Sequence, residues 1–332
     1  MDAITDVREI SKIAYGFMGT QALVAGLDAD VFGRLRDGAL TAADLAEKVG
    51  VRADRLAMLL TPLVALGLLT KEGDRYANAP ASAKYLDPEA PECFGEYIRL
   101  QVGKQIYPHA LNIGKALAGT PVGLYQEVAE DPEEAAAFSH SQHAGSMGPA
   151  YLMARKVELD APQRLLDVAG GSGAFTITLC RKYPELHATI LDYPAVVDVA
   201  RKYMAEAGLE ERVEYIEGDA LESAWPIEQD VVLMSYLLSA VGKEDIGALM
   251  RKAHAALRPG GKLVLHDFMV NAGGTGPLSA ALWMLVMVTS PEPVRLTAEY
   301  LETEVEAAGF SEIHSDDLVP TITKVLVATK KG

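Results

Sequence analysis

Three acids and a glycine turn recur at spacings suited to an adenosine-like ligand. The run Arg164-Leu-Leu-Asp-Val-Ala-Gly-Gly-Ser-Gly173 starts as a short apolar segment, is interrupted by Asp167 and passes straight into Gly170, Gly171 and Gly173. A turn without Cβ atoms lets a ligand approach the backbone. The helix expected from Ala174 to Tyr183 would aim its free N-terminal amides at the same point. Gly-Gly-Ser-Gly lacks the Gly-x-Gly-x-x-Gly of a dinucleotide site and the Lys-Ser/Thr of a phosphate loop. It suits a cationic amino-acid tail better than a pyrophosphate. Asp192 ends the next apolar segment, 19 residues beyond Gly173, where an acid takes the two hydroxyls of a ribose. A third segment ends in Glu217-Gly-Asp219-Ala220, and Asp219 is suited to accept from an exocyclic amine. Each acid alone reads equally well as a turn or helix cap. At three successive strand ends they point together to one ligand.

Two further residues carry weaker signals. His140 and His143 stand at i and i+3 on an expected helix from Phe138 to Val157, so they share a face as metal ligands can. No nearby Cys or carboxylate completes a metal set, and no metal is expected; a solvated or substrate-facing pair is the reading adopted.

The elements that must position these groups follow from periodicity. From Arg164 onward, strands at Arg164–Val168, Ala188–Asp192, Val213–Glu217, Val231–Ser235 and Lys262–Asp267 alternate with helices. The closing pair, Ser311–His314 and Ile322–Thr329, has no helix between its members and predicts a hairpin. Such alternation demands a mostly parallel sheet covered on both faces. Residues 3 to 36 predict two helices broken near Gly19. Thr41-Ala-Ala-Asp44 resembles a capping box opening a helix to Val49, a third helix runs from Asp54 to Leu66, and two short strands flank Gly73-Asp74. Helix, helix, helix, hairpin is a winged-helix pattern. The third helix offers only Arg55 as a base among Leu56, Met58, Leu59, Leu60, Leu63 and Val64, so its face suits a subunit interface better than a DNA groove. Residues 87 to 92 read as a linker, and Phe94 to Leu117 as a helix bent at Pro108.

The net charge of −16 argues against nucleic acid as a partner, because phosphate binding needs clustered Lys and Arg. No apolar run reaches the roughly 18 residues of a membrane span. With no secretory pattern at Met1-Asp-Ala-Ile-Thr-Asp and only Cys93 and Cys180, widely separated, the expectation is a reduced, cytoplasmic location.

The ordered set Leu-Asp-Val-Ala-Gly-Gly-Ser-Gly-Ala, Leu-Asp192-Tyr-Pro-Ala-Val-Val, Glu-Gly-Asp219-Ala, Leu-Arg-Pro-Gly-Gly-Lys-Leu and Thr-Ala-Glu-Tyr-Leu…Ala-Ala-Gly-Phe resembles the caffeate/acetylserotonin-type O-methyltransferases. These are class I S-adenosylmethionine (SAM)-dependent enzymes, and the resemblance covers nearly the whole chain. It implies an α/β, Rossmann-like, mostly parallel seven-stranded sheet with an antiparallel C-terminal hairpin. It also implies a helical winged-helix dimerisation domain over residues 1–105, a SAM-binding domain over 106–332, and a homodimer acting on a small molecule. SAM would be held by Asp167, Gly170, Gly171, Gly173, Asp192, Tyr193, Asp219, Ala220 and Ser235, leaving S-adenosylhomocysteine as product.

The departures from the family constrain the acceptor. In the family the fourth strand leads into Leu-His-Asp-Trp, whose His is the general base; here Tyr236-Leu-Leu-Ser239-Ala240-Val241 puts Ser239 at that position. The family's Gly-x-Glu-Arg-Thr supplies a Glu that orients the His; here Pro293-Val-Arg295-Leu-Thr297 puts Arg295 there. A phenol with a pKa near ~10 benefits from a base at neutral pH. A thioether has no proton to lose, and proximity can suffice. Arg295 would supply a fork for a carboxylate. The reading is S-methylation of a carboxylate-bearing thioether, similar to the methylthiohydroxybutyrate S-methyltransferases of dimethylsulfoniopropionate synthesis, with His140, His143, Ser239 and Arg295 at the acceptor. The alternatives are an O-methyltransferase whose base has moved to His140, His143 or His266, and a C-methyltransferase of the bacteriochlorophyllide type. A winged-helix DNA-binding regulator is the non-enzyme alternative.

Overall fold

The computed structural model describes residues 3–120, 132–288, 290 and 292–332. The chain divides into two compact units, Met1–Tyr107 and Pro108–Gly332.

In the first unit Asp6 accepts the Arg8 amide at 2.8 Å and caps a helix, Val7–Asp28. The break expected near Gly19 does not occur. A Cβ there would make only ordinary contact with Leu66, 3.5 Å from its Cδ2; a lone glycine costs a helix about 1 kcal/mol, and the helix runs through it. The turn falls instead at Asp30, whose φ of 53° is left-handed. Thr41 caps Ala42–Val49 by accepting the Asp44 amide, and Gly50, at φ 79°, ends it, as glycine at this position should. The helix Ala53–Ala65 follows, then a hairpin of β2 (Leu69–Glu72) and β3 (Arg75–Asn78). A third strand, β1 (Leu40–Thr41), pairs antiparallel with β3; two residues are too few to show periodicity.

The apolar face of Ala53–Ala65 was expected to serve an interface. It mostly builds its own core instead: Leu56, Leu60 and Leu63 are buried with Phe32, Leu35, Leu45 and Leu69. That helix keeps Met58 exposed, and a longer exposed apolar row lies on the first helix, at Val7, Ile10, Ile13 and Phe17. The expected linker is also tied down. Asp87 is 5% exposed and takes a bidentate contact from Arg36 at 2.6 and 2.8 Å. The helix expected from Phe94 to Leu117 is a π-helical stretch, Tyr97–Ile106, and two short α-helices, Tyr107–Ala110 and Ile113–Leu117. Its interruption lies at Leu111–Asn112. Pro108 stands where the π-helical stretch passes directly into Tyr107–Ala110.

The second unit is a seven-stranded sheet in the order β6-β5-β4-β7-β8-β10-β9. Its strands are β4 (Arg164–Val168), β5 (His187–Asp192), β6 (Val213–Glu217), β7 (Gln229–Ser235), β8 (Leu257–Asp267), β9 (Phe310–Val319) and β10 (Thr323–Lys330). The first five are mutually parallel, and β10 pairs antiparallel with both β8 and β9. This is the mostly parallel sheet with a closing hairpin that alternation predicts. Both faces are covered. Leu165, Ile190 and Leu233 enter one core, with Phe175 and Met204. Leu166, Val168, Leu191 and Val232 enter the other, with Leu249 and Leu301. Neighbouring residues of a strand point to opposite faces, so a run such as Leu165-Leu166 feeds both. The strand order reverses between β4 and β7, and ligands bind at such switch points, outside the carboxyl ends of the strands. No helix among the described residues is long and apolar enough to cross a membrane.

Candidate active site

The expected acids do stand at the carboxyl ends of adjacent strands. Asp167 lies within β4, 1% exposed, and accepts the Thr176 hydroxyl at 2.7 Å. Burial pushes its carboxyl up to about 7; Thr176 opposes this and the nearby Asp192 adds to it. Asp192 ends β5. One of its oxygens accepts the Gly171 amide and the other the Tyr193 amide, both at 2.8 Å. Burial raises it to about 6 despite those two bonds. Asp219 follows β6, accepts the Leu221 amide at 2.7 Å and takes the Tyr193 hydroxyl at 3.1 Å. The turn reading of Asp219 therefore holds alongside any ligand role. Burial, with Asp219 next, raises the Tyr193 phenol to about 12. Ala220 presents its carbonyl to Trp225 Nε1 at 2.9 Å.

The glycine turn is an open cradle. Gly171 has φ 59°, and a Cβ there would meet nothing within 4 Å. Gly170 and Gly173 are closed: added Cβ atoms would lie 2.9 Å from Asp167 Cγ and 2.3 Å from Met204 Cε. Non-glycine residues with positive φ flank the site, Ala169 at 53° after β4 and Tyr236 at 59° after β7. Backbone held this way concentrates at functional sites.

A cavity of about 230 Å³ opens here, lined by the glycine turn, Asp167, Asp192, Tyr193, Ser235 and the segment Tyr236–Leu237 with Ala240 and Val241. Its remaining wall is the helix Pro132–Lys156, through Phe138, Ser139, Gln142 and Ser146. Sequence reading missed these wall residues, although Phe138, Gln142 and Ser146, four apart, share a helix face. Ser235 is held by His266 Nδ1 at 2.9 Å, and His266 Nε2 meets Thr323 Oγ1 at 2.9 Å. Burial drives His266 down to about 3.

The expected acceptor residues are not gathered in this cavity. Ser239 is 3% exposed, and its amide donates to Asp267 at 2.9 Å. Burial raises Asp267 to about 6. Arg295 is exposed and lines a second cavity of about 340 Å³ with Val270, Met284, Met287, Val288 and Val294. His143 and His140 turn toward Ser172 and Tyr203: His143 Nδ1 lies 2.8 Å from Ser172 Oγ, and Tyr203 Oη contacts His140 Nδ1. Burial first, and His140 second, lower His143 to about 4. Each of the three histidines considered as a base thus has at least one ring nitrogen engaged.

These features suit an adenosyl sulfonium carrying an amino acid: a Cβ-free turn, buried and half-buried carboxylates with remaining lone pairs, and an apolar-walled cleft. A parallel sheet with such a cleft at its switch point is an architecture that binds nucleotide-like cofactors. The chain matches the O-methyltransferase domain over residues 95–311 and the O-methyltransferase dimerisation domain over residues 11–88. It belongs to the O-methyltransferase family and is a SAM-dependent methyltransferase. It is 29% identical to a 3-hydroxy-5-methyl-1-naphthoate 3-O-methyltransferase of Streptomyces sahachiroi, across 92% of this chain and 90% of that protein. It is 28% identical to an L-tyrosine C(3)-methyltransferase of Streptomyces lavendulae, across 92% and 87%. The fold superposes on human N-acetylserotonin methyltransferase in complex with SAM with a TM-score of 0.86, at 24% identity and full coverage of both chains.

Proposed function

We propose that this enzyme methylates the sulfur of a carboxylate-bearing thioether without a general base. The reading rests on one observation: among the described residues, the lining of the cleft contains no histidine, lysine or cysteine. Ser239, at the family's base position, is buried against Asp267. The histidines suggested as substitutes are tied to Ser172, Tyr203, Ser235 and Thr323.

In this reading Asp192 takes the ribose hydroxyls, Tyr193, Asp219 and Ala220 bound the adenine, and Asp167 with the Gly170–Gly173 turn receives the amino-acid end. Bound SAM supplies an electrophilic methyl on a sulfonium. The chain's own part is to orient the acceptor lone pair and exclude water, which accelerates transfer through proximity alone. A neutral thioether becomes a sulfonium, SAM becomes S-adenosylhomocysteine, and no proton moves. Arg295, at the mouth of an apolar cavity, supplies a guanidinium fork for the acceptor carboxylate. Residues 1–105 serve dimerisation, and 106–332 bind SAM and the acceptor.

A second reading is O-methylation of an aromatic hydroxy acid. It is favoured by the apolar lining around Arg295 and by the naphthoate named for the Streptomyces sahachiroi relative. A pH profile of single-turnover transfer, with thioether and phenol acceptors that carry a carboxylate, separates the two. Base-free S-methylation gives a flat profile from about pH 6 to 9, whereas a base makes the rate rise through one ionisation. Turnover of the phenol alone, with such a rise, would overturn the sulfur assignment.

A further inference from the structure

The glycine turn contains one side chain able to hydrogen-bond, Ser172, and it is 4% exposed. Its partner is His143, 29 residues earlier, on the helix whose neighbouring face walls the cleft. The imidazole of His143 is itself fixed from the other side. It stacks on the Tyr203 ring with centroids 3.6 Å apart and planes 7° from parallel. Tyr203 comes from the helix Pro194–Ala207, and its hydroxyl is engaged by His140. Two helices therefore converge on one hydroxyl of the turn.

We propose that His143 is a positioning residue for SAM: through Ser172 it clamps the wall helix onto the glycine turn and sets the affinity of the cleft for its cofactor. Both sides of the cleft need this link. The wall residues Phe138, Gln142 and Ser146 belong to the helix, whereas Gly170 and Gly171 belong to the turn. Without the link the wall keeps its stack on Tyr203 but loses its tie to the turn. This inference rests on SAM occupying that cleft, and it assigns His143 no part in proton transfer.

The test is calorimetric titration of S-adenosylhomocysteine into wild type, His143→Phe, His143→Asn, Ser172→Ala and the Phe/Ala double variant. Binding by wild type reports on the cofactor assignment by itself. Phenylalanine keeps a ring for the Tyr203 stack but offers no nitrogen; asparagine restores a polar atom near the Nδ1 position. Losing one neutral hydrogen bond should weaken binding about three- to tenfold in His143→Phe and in Ser172→Ala. The double variant should lose no more than either single one, because both remove the same bond. His143→Asn should recover part of the loss, and kcat at saturating SAM should stay near wild type. Should His143→Phe fail to fold, Ser172→Ala carries the test. Unchanged affinity in Ser172→Ala, additive losses, or a loss of kcat at saturating SAM that His143→Asn fails to restore would overturn the proposal.

Discussion

The Asp192 carboxylate reaches from the end of β5 to the neighbouring glycine turn and accepts the Gly171 amide at 2.8 Å, while its other oxygen accepts the Tyr193 amide at the same distance. One half-buried acid thus fixes the turn and keeps a free lone pair on each oxygen for a ligand.

Asp192→Ala removes both functions at once. Charged hydrogen bonds to a ligand are each worth ~1.5–3 kcal/mol, so S-adenosylhomocysteine should bind at least about 10²-fold more weakly. Titration calorimetry checks this, and affinity within threefold of wild type would remove Asp192 from the site.

Gly171 and Gly173 should respond differently to alanine. Both have positive φ, but a Cβ at Gly171 meets open space, whereas one at Gly173 meets Met204. Gly171→Ala should cost only the ~1–2 kcal/mol of a left-handed residue and weaken cofactor binding by filling the cradle. Gly173→Ala adds a clash and should lower Tm further. Paired melting and binding curves distinguish them.

Buried Asp167, with its carboxyl raised to about 7, gives the cofactor-free protein a defined pH response. The folded state holds this proton where the unfolded chain has released it. Its contribution to stability is therefore present at low pH and lost as pH rises from about 4 to about 7. His143 and His266, held down to about 4 and about 3, act in the opposite sense: their folded forms stay neutral, so stability gains as pH rises toward their unfolded values. The difference between variants isolates one group. Asp167→Asn should lose less Tm than wild type between about pH 5 and 8. Parallel curves would show that Asp167 does not titrate there.

Arg295→Ala should raise the acceptor KM at least about tenfold with little change in kcat, since a charged hydrogen bond is lost from binding and no proton transfer is involved. Ser239→Ala should leave both parameters within about threefold. Steady-state kinetics with a carboxylate-bearing acceptor and its amide analogue measure both effects; equal KM values for acid and amide in wild type would remove Arg295 from that role.

The helix Val7–Asp28, which the dimerisation-domain match enters at residue 11, exposes Val7, Ile10, Ile13 and Phe17. Ile10→Asp with Ile13→Asp should shift a homodimer toward monomer in light scattering while far-ultraviolet circular dichroism is retained. An unchanged dimer would move the interface elsewhere.

Strand, turn and acid were legible in the sequence because each is a local pattern. The run Leu165-Leu166 can feed both faces of a buried parallel strand, positive φ calls for glycine, and an acid at a strand's end needs no distant partner to be recognised. The closing hairpin was legible for the same reason, since no helix separates its strands. Other features depended on how elements pack. Gly19 looked like a helix breaker, but one glycine costs a helix only about 1 kcal/mol, and the helix Val7–Asp28 runs through it. Asp87 looked like part of a linker until Arg36, 51 residues earlier, met it. The histidine pair at i and i+3 suggested an acceptor site; in the fold His143 meets Ser172 and stacks on Tyr203. Ser239 and Arg295 stand at the base and orienting-acid positions of the family's device in sequence. Only the tertiary structure buried one against Asp267 and set the other over a separate apolar cavity, because side-chain direction depends on packing that spacing does not encode.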